Sequence, residues 1–79
     1  MYSITHIRLN PETRVFENTQ LHGLFLEEDA YEELVFYGCP EESLNKFKSL
    51  NKGDRMTGES TITNGIKKGL HFIYINRIS

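Results

Sequence analysis

Apolar and polar positions alternate over most of the chain, and one stretch carries apolar residues at helical spacing instead. Residues 2 to 9, YSITHIRL, alternate loosely and predict a first strand. Asn10-Pro11-Glu12-Thr13 predicts a turn, because proline lacks a ladder donor, fixes its own φ and biases Asn10 away from helix. Residues 14 to 26 predict a second strand region, interrupted around Glu17-Asn18-Thr19, with Leu21, Gly23 and Phe25 on one face and His22, Leu24 and Leu26 on the other. Gly23 in its middle suggests a bend. After a solvated EEDA connection at 27 to 30, residues 31 to 37 predict a third strand with Leu34 and Phe36 on one face and Tyr31, Glu33, Val35 and Tyr37 on the other.

A helix comes next. Pro40 suits the first helical position, Glu41 and Glu42 suit the positive end of the helix dipole, and Lys46 and Lys48 suit the negative end. Leu44, Phe47 and Leu50 supply its apolar stripe. Asn51-Lys52-Gly53-Asp54 turns the chain into a threonine-rich fourth strand at 55 to 63, and a turn at Asn64-Gly65 leads to an apolar fifth strand at 70 to 78. The order of strand, strand, strand, helix, strand, strand is that of the OB fold. The sequence therefore predicts a mainly β chain, a five-stranded Greek-key barrel with one helix between strands 3 and 4, as a single domain over residues 1 to 79. Closure is expected because a chain this short buries only ~60 to 65 % of its unfolded surface.

With 38 % apolar and 25 % charged residues the chain has the composition of a folded protein. It has no cationic leader before an apolar run and no apolar segment near ~20 residues, so neither secretion nor membrane spanning is expected, and the reading is cytoplasmic. The net charge of −2 hides a division. Residues 1 to 45 hold two basic side chains, Arg8 and Arg14, against nine acidic ones, whereas residues 46 to 79 hold seven basic against two acidic. The ordinary reading is that elements of opposite charge neighbour each other in the fold; the functional one is a basic track aimed at phosphate.

Catalytic groupings are sparse in the sequence. Cys39 precedes a helix start but has no histidine arranged with it locally, and reads as a small buried or capping residue. His6, His22 and His71 are far apart in the chain and, with a single cysteine, lack metal-ligand spacing. No phosphate-cradling glycine loop is present. A non-enzyme without metal or cofactor is expected.

Three local runs, in order, resemble the bacterial and phage single-stranded DNA-binding protein family. Asn10-Pro11-Glu12-Thr13-Arg14 is similar to its Asp-Pro-Glu-x-Arg turn. Leu34-Val35-Phe36-Tyr37-Gly38 before a helix is similar to its Val-Val-x-Phe-Gly strand end, and Lys52-Gly53-Asp54-Arg55-Met56-Thr57-Gly58 to its Lys-Gly-x-x-Val-x-x-Gly run. The resemblance implies sequence-nonspecific binding of single-stranded DNA in replication or recombination, with bases stacked on aromatic rings along a basic groove. By position it nominates Tyr31 and Tyr37, six residues apart and so on one face of an extended strand, as the stacking pair. Arg14 and Lys52 match family positions, and Arg55, Lys67 and Lys68 lie on or near turns that could border the same groove. A homo-oligomer is expected, since one small barrel offers few contacts. The family's long tail with an acidic, apolar tip has no counterpart after Ser79, so recruitment through such a tail is not expected. The alternative uses the acidic run Glu27, Glu28, Asp29, Glu32 and Glu33: a small OB-fold protein-interaction module or inhibitor whose carboxylates face a protein partner.

Overall fold

A computed structural model of the chain describes residues 1–20 and 23–79, with the side chains of residues 19 and 20 also left out of the description. Leu21 and His22, to which faces of the second strand are assigned above, lie outside the described residues. The elements run β1 (Tyr2–Leu9), β2 (Phe16–Gln20), α1 (Glu27–Phe36), α2 (Glu41–Lys48), β3 (Arg55–Ile62) and β4 (Gly69–Arg77). The strands form one antiparallel sheet in the order β2-β1-β4-β3. β2 and β3 are its two edges and do not pair, so the sheet is open. The predicted five-stranded OB-fold barrel is therefore corrected to a four-stranded open sheet with two helices.

The difference originates at residues 27 to 36, expected as a connection and a strand and found as α1. Leu-Val-Phe-Tyr is locally strand-favouring, but Ala30 and Leu34, four residues apart, are both fully buried against the sheet. Glutamates on either side favour helix, and Glu27, Glu28 and Asp29 occupy the first turn, where the dipole favours negative charge. Gly38, at φ +70°, ends the helix. Its N–H bonds the Val35 carbonyl and the Cys39 N–H bonds the Leu34 carbonyl, a Schellman closure. α2 lies where the Leu44, Phe47 and Leu50 spacing puts it, with Pro40 one position earlier than expected, as its N-cap.

In β1, β3 and β4 alternate side chains point toward the helices. Tyr2, Ile4, Met56, Ile73 and Ile75 meet Ala30, Leu34, Cys39, Phe47 and Leu50 in the core. Gly58 lies directly beneath α1, and a Cβ there would stand 2.7 Å from Leu34 Cδ2. After β2 the chain passes beside the start of β1 through paired hydrogen bonds between Tyr2 and Phe25, each 2.8 Å, before entering α1. Among the described residues no helix is long and apolar enough to cross a membrane.

Among the described residues no helix covers the other face of the sheet. Register places Phe16, Leu9, Leu70 and Thr61 in one row across it, Asn18, Ile7, Phe72 and Glu59 in the next, then Thr5, Tyr74 and Thr57, and finally Ser3, Asn76 and Arg55. Phe16 and Phe72 touch across this surface, with ring centroids 6.4 Å apart.

Candidate functional site

A broad concavity among the described residues follows from how α1 sits on β1. A helix places residues i, i+3, i+4 and i+7 on one side, and in α1 these are Asp29, Glu32, Glu33 and Phe36. They face a groove of about 940 Å³ whose other lining residues include Ile4 from β1 and Phe25 from the crossing segment. Val35 and Phe36 stand on its border, 51 % and 63 % exposed. The groove thus has an apolar floor and a carboxylate rim.

The rim is short of cations. Among the described residues Arg8 pairs with Glu17 at 3.4 Å, and Glu33 Oε1 stands 3.9 Å from Nδ1 of His6, a charge pair only when that ring is protonated. Glu28, Asp29, Glu32, Glu41 and Glu42 enter no such pair, and Glu27 accepts a hydrogen bond from the Tyr2 hydroxyl. Burial raises the Glu33 carboxyl above its ordinary value, and the nearby Lys67 ammonium opposes that rise. Lys67 itself lies over the Phe36 ring, its Nζ 3.3 Å from the centroid.

Beneath Glu33 is a buried polar cluster. His6 Nε2 and His71 Nδ1 are 2.7 Å apart, and His71 Nε2 is 2.6 Å from the Lys67 carbonyl oxygen. A carbonyl only accepts, so His71 Nε2 carries its proton, His71 Nδ1 is the acceptor, and the His6 Nε2–H donates to it. Both rings are 2 % exposed. Burial, the neighbouring His71 and then Lys67 lower the His6 pKa to about 4, so His6 is neutral at neutral pH. The Tyr37 ring sits 4.3 Å from His6 and 4.9 Å from His71, and burial followed by Glu33 raises its hydroxyl pKa. Ser60 Oγ, opposite His71 on β3, is buried with no hydrogen-bond partner among the described residues. The bond between the two imidazoles and the bond from His71 to backbone suit a structural pair. Burial likewise raises the Cys39 thiol, keeping it protonated.

The same-face placement of Tyr31 and Tyr37 needs an extended strand, and α1 removes it. Six positions on a helix leave two side chains about 120° apart around the axis. Tyr31 packs toward Phe47 at 5.9 Å with Lys48 Nζ 5.3 Å over its ring, while Tyr37 lies on the histidines. The basic candidates divide between the two ends of the sheet. Arg14 and Lys68 stand at the β1–β2 turn and just before β4, Arg14 at φ 58°, and Lys52 and Arg55 stand at the opposite end, eight strand residues away. Lys67 is held over Phe36 and Tyr37. The seven residues do not border one trough. By contrast, the five acidic candidates, Glu27, Glu28, Asp29, Glu32 and Glu33, are all brought together on α1.

Phe36, expected on the same strand face as Leu34, is instead an exposed border residue, and Val35 and Phe25 join it as groove residues that sequence reasoning did not single out. The signal available for them was the Ala30–Leu34 spacing, which turns Phe36 away from the core once the segment is helical. The His6–His71 contact spans 65 positions and carries no local signal. Comparison with family models, with curated proteins and with solved structures finds no match to this chain.

Proposed function

We propose that the chain is a protein-binding module that seats a basic, apolar segment of a partner protein in the groove along α1. The observation that carries this reading is the combination on one surface of exposed Val35 and Phe36 with Asp29 and Glu32, carboxylates that have no ion-pair partner among the described residues. The apolar border supplies affinity, since burying a side chain of this size contributes ~1.5 to 3 kcal/mol. The carboxylates select a cationic partner and speed its approach, an effect that salt screens. Glu33, half-buried and next to Phe36, offers a partner's lysine or arginine a less hydrated carboxylate at the end of the groove, where a paired charge counts for more than on an open surface.

Two amphipathic peptides of equal length test it, one of lysine and leucine and one of glutamate and leucine, titrated into ¹⁵N-labelled protein. The lysine peptide is expected to shift the amides of Asp29, Glu32, Val35 and Phe36, to weaken with added salt, and to be lost in the double variant Asp29→Lys, Glu32→Lys. Charge reversal at Glu41 and Glu42, acidic but outside the groove, should leave the binding intact. Equal binding of both peptides, or shifts as large at Glu41 and Glu42 as along α1, would refute the reading.

A further inference from the structure

The open face of the sheet lies on the opposite side of the molecule from the groove and plays no part in it. Rows of antiparallel strands with one face on a core normally turn polar residues to water. Here the two central strands turn out Ile7 and Leu9 from β1 and Leu70, Phe72 and Tyr74 from β4, and the edge strand β2 adds Phe16. Phe16 is 61 % exposed and Tyr74 40 % exposed, so the surface is contiguous, aromatic and wet. Contiguous apolar surface of this kind marks an interaction site.

Charge decides between occupants. Among the described residues of the strands the face carries one cation, Arg55, and one anion, Glu59, both on β3, with threonine, serine and asparagine between them. A nucleic-acid backbone needs an excess of cations along its path, and this face has none. A neutral face, however, meets a copy of itself without repulsion, which the carboxylate-rich helical layer cannot do. Size agrees. Strands of eight or nine residues at ~3.3 Å per residue and four strands at ~4.8 Å spacing give roughly 500 Å² per copy, so a pair buries roughly 1,000 Å², the lower bound for a specific interface.

We propose that two copies of this chain pack sheet to sheet through this face, with β1 and β4 at the centre of a two-layer sandwich about a two-fold axis. Ile7, Leu9, Leu70, Phe72 and Tyr74 are then the buried centre of the contact. Both helical layers, and with them both α1 grooves, remain outward, so the dimer is bivalent for whatever the groove holds.

Sedimentation velocity from micromolar to near-millimolar concentration tests the pairing. The expected result is a species of twice the 9.2 kDa chain mass, no weaker in high salt than in low. Phe72→Glu should weaken it roughly a hundredfold or more, because a symmetric contact receives the change twice. Circular dichroism verifies the fold of the variant, and Phe16→Glu, on the edge strand, serves where Phe72→Glu does not fold. Val35→Asp, on the helical layer, should leave the mass alone. A wild-type monomer throughout overturns the proposal, as does a dimer that survives in both folded sheet-face variants. Quenching of tyrosine fluorescence by oligo-dT together with a monomeric mass would give the face to nucleic acid instead. Lysine-peptide binding by the Phe72→Glu monomer keeps the groove reading standing whichever way the dimer falls.

Discussion

The buried imidazole pair makes the stability of this domain sensitive to mild acid, and the size of the effect follows from the site. His6 is neutral in the fold with a pKa of about 4, against an ordinary value of 6.5 when the chain unfolds. Between those values the unfolded state binds the extra proton, so stability is complete above about pH 6.5 and falls as pH drops toward 4. Going from about pH 7 to about pH 4.5 removes about 2.5 kcal/mol by this linkage, a large share of the ~4 to 12 kcal/mol expected for a domain of this length. The groups around His6 set the background: His71 from β4, Glu33 and Tyr37 from α1 and its cap, Lys67 from the β3–β4 turn, and Ser60 from β3. Glu33 works in the opposite direction, since its raised carboxyl takes up a proton earlier in the fold than in the unfolded chain and so offsets part of the loss as pH falls. The assay is urea unfolding at several pH values for the wild type and for His6→Gln. The variant loses the hydrogen bond to His71 and is ~1 to 3 kcal/mol less stable at neutral pH. The difference between the two proteins should shrink by about 2.5 kcal/mol on acidification, because only the wild type carries the buried site. A difference that stays constant from pH 7 to 4.5 would refute the neutral, desolvated His6.

Gly58→Ala should destabilise the domain by ~1 to 3 kcal/mol in the same unfolding assay, because Leu34 Cδ2, 2.7 Å from the new Cβ, belongs to a fully buried side chain that must shift within the core; a variant as stable as the wild type would show that α1 can lift from β3 without cost. Lys67→Met removes the cation above Phe36 and should cost ~0.5 to 1 kcal/mol. The same change should raise the Glu33 carboxyl further, since Lys67 is what holds it down, and an NMR titration of Glu33 that moves to lower pH contradicts the assignment.

The sequence makes β1, α2, β3 and β4 legible because in each the burial period matches the local preference. Tyr2, Ile4 and His6 alternate inward, as do Met56, Gly58 and Ser60, and Phe47 and Leu50 follow a helical stripe. α1 is misread because its two signals disagree. The β-branched and aromatic run at 34 to 37 favours strand over four residues, while the glutamate-rich segment before it and the Ala30–Leu34 spacing favour helix over ten, and tertiary burial of Ala30 and Leu34 selects the longer element. One wrong element changes the topology, since losing a strand and gaining a helix leaves the sheet without the strand needed to close it. The acidic run itself is plain in the sequence, but its meaning is not, because only the helix turns Asp29, Glu32 and Glu33 toward Phe36.

The division of charge along the chain acquires a physical sense once the layers are known. Seven carboxylates, from Glu27 to Glu42, belong to the helical layer, whereas among the described residues the outward face of the sheet carries Glu59 against Arg55. Neutral sheet face and acidic helical face are separated by the thickness of the sheet and the core, roughly the ~10 Å at which physiological salt screens exposed charges. Each surface can therefore be tuned without disturbing the other: substitutions on β1 and β4 alter what the sheet meets, and substitutions on α1 alter what the groove holds. On the proposed reading, that independence is what lets a domain of this size present two interaction surfaces. It also means that the Tyr37, His6 and His71 cluster beneath Glu33, rather than any contact at the sheet face, is where a change in the groove would be felt inside the fold.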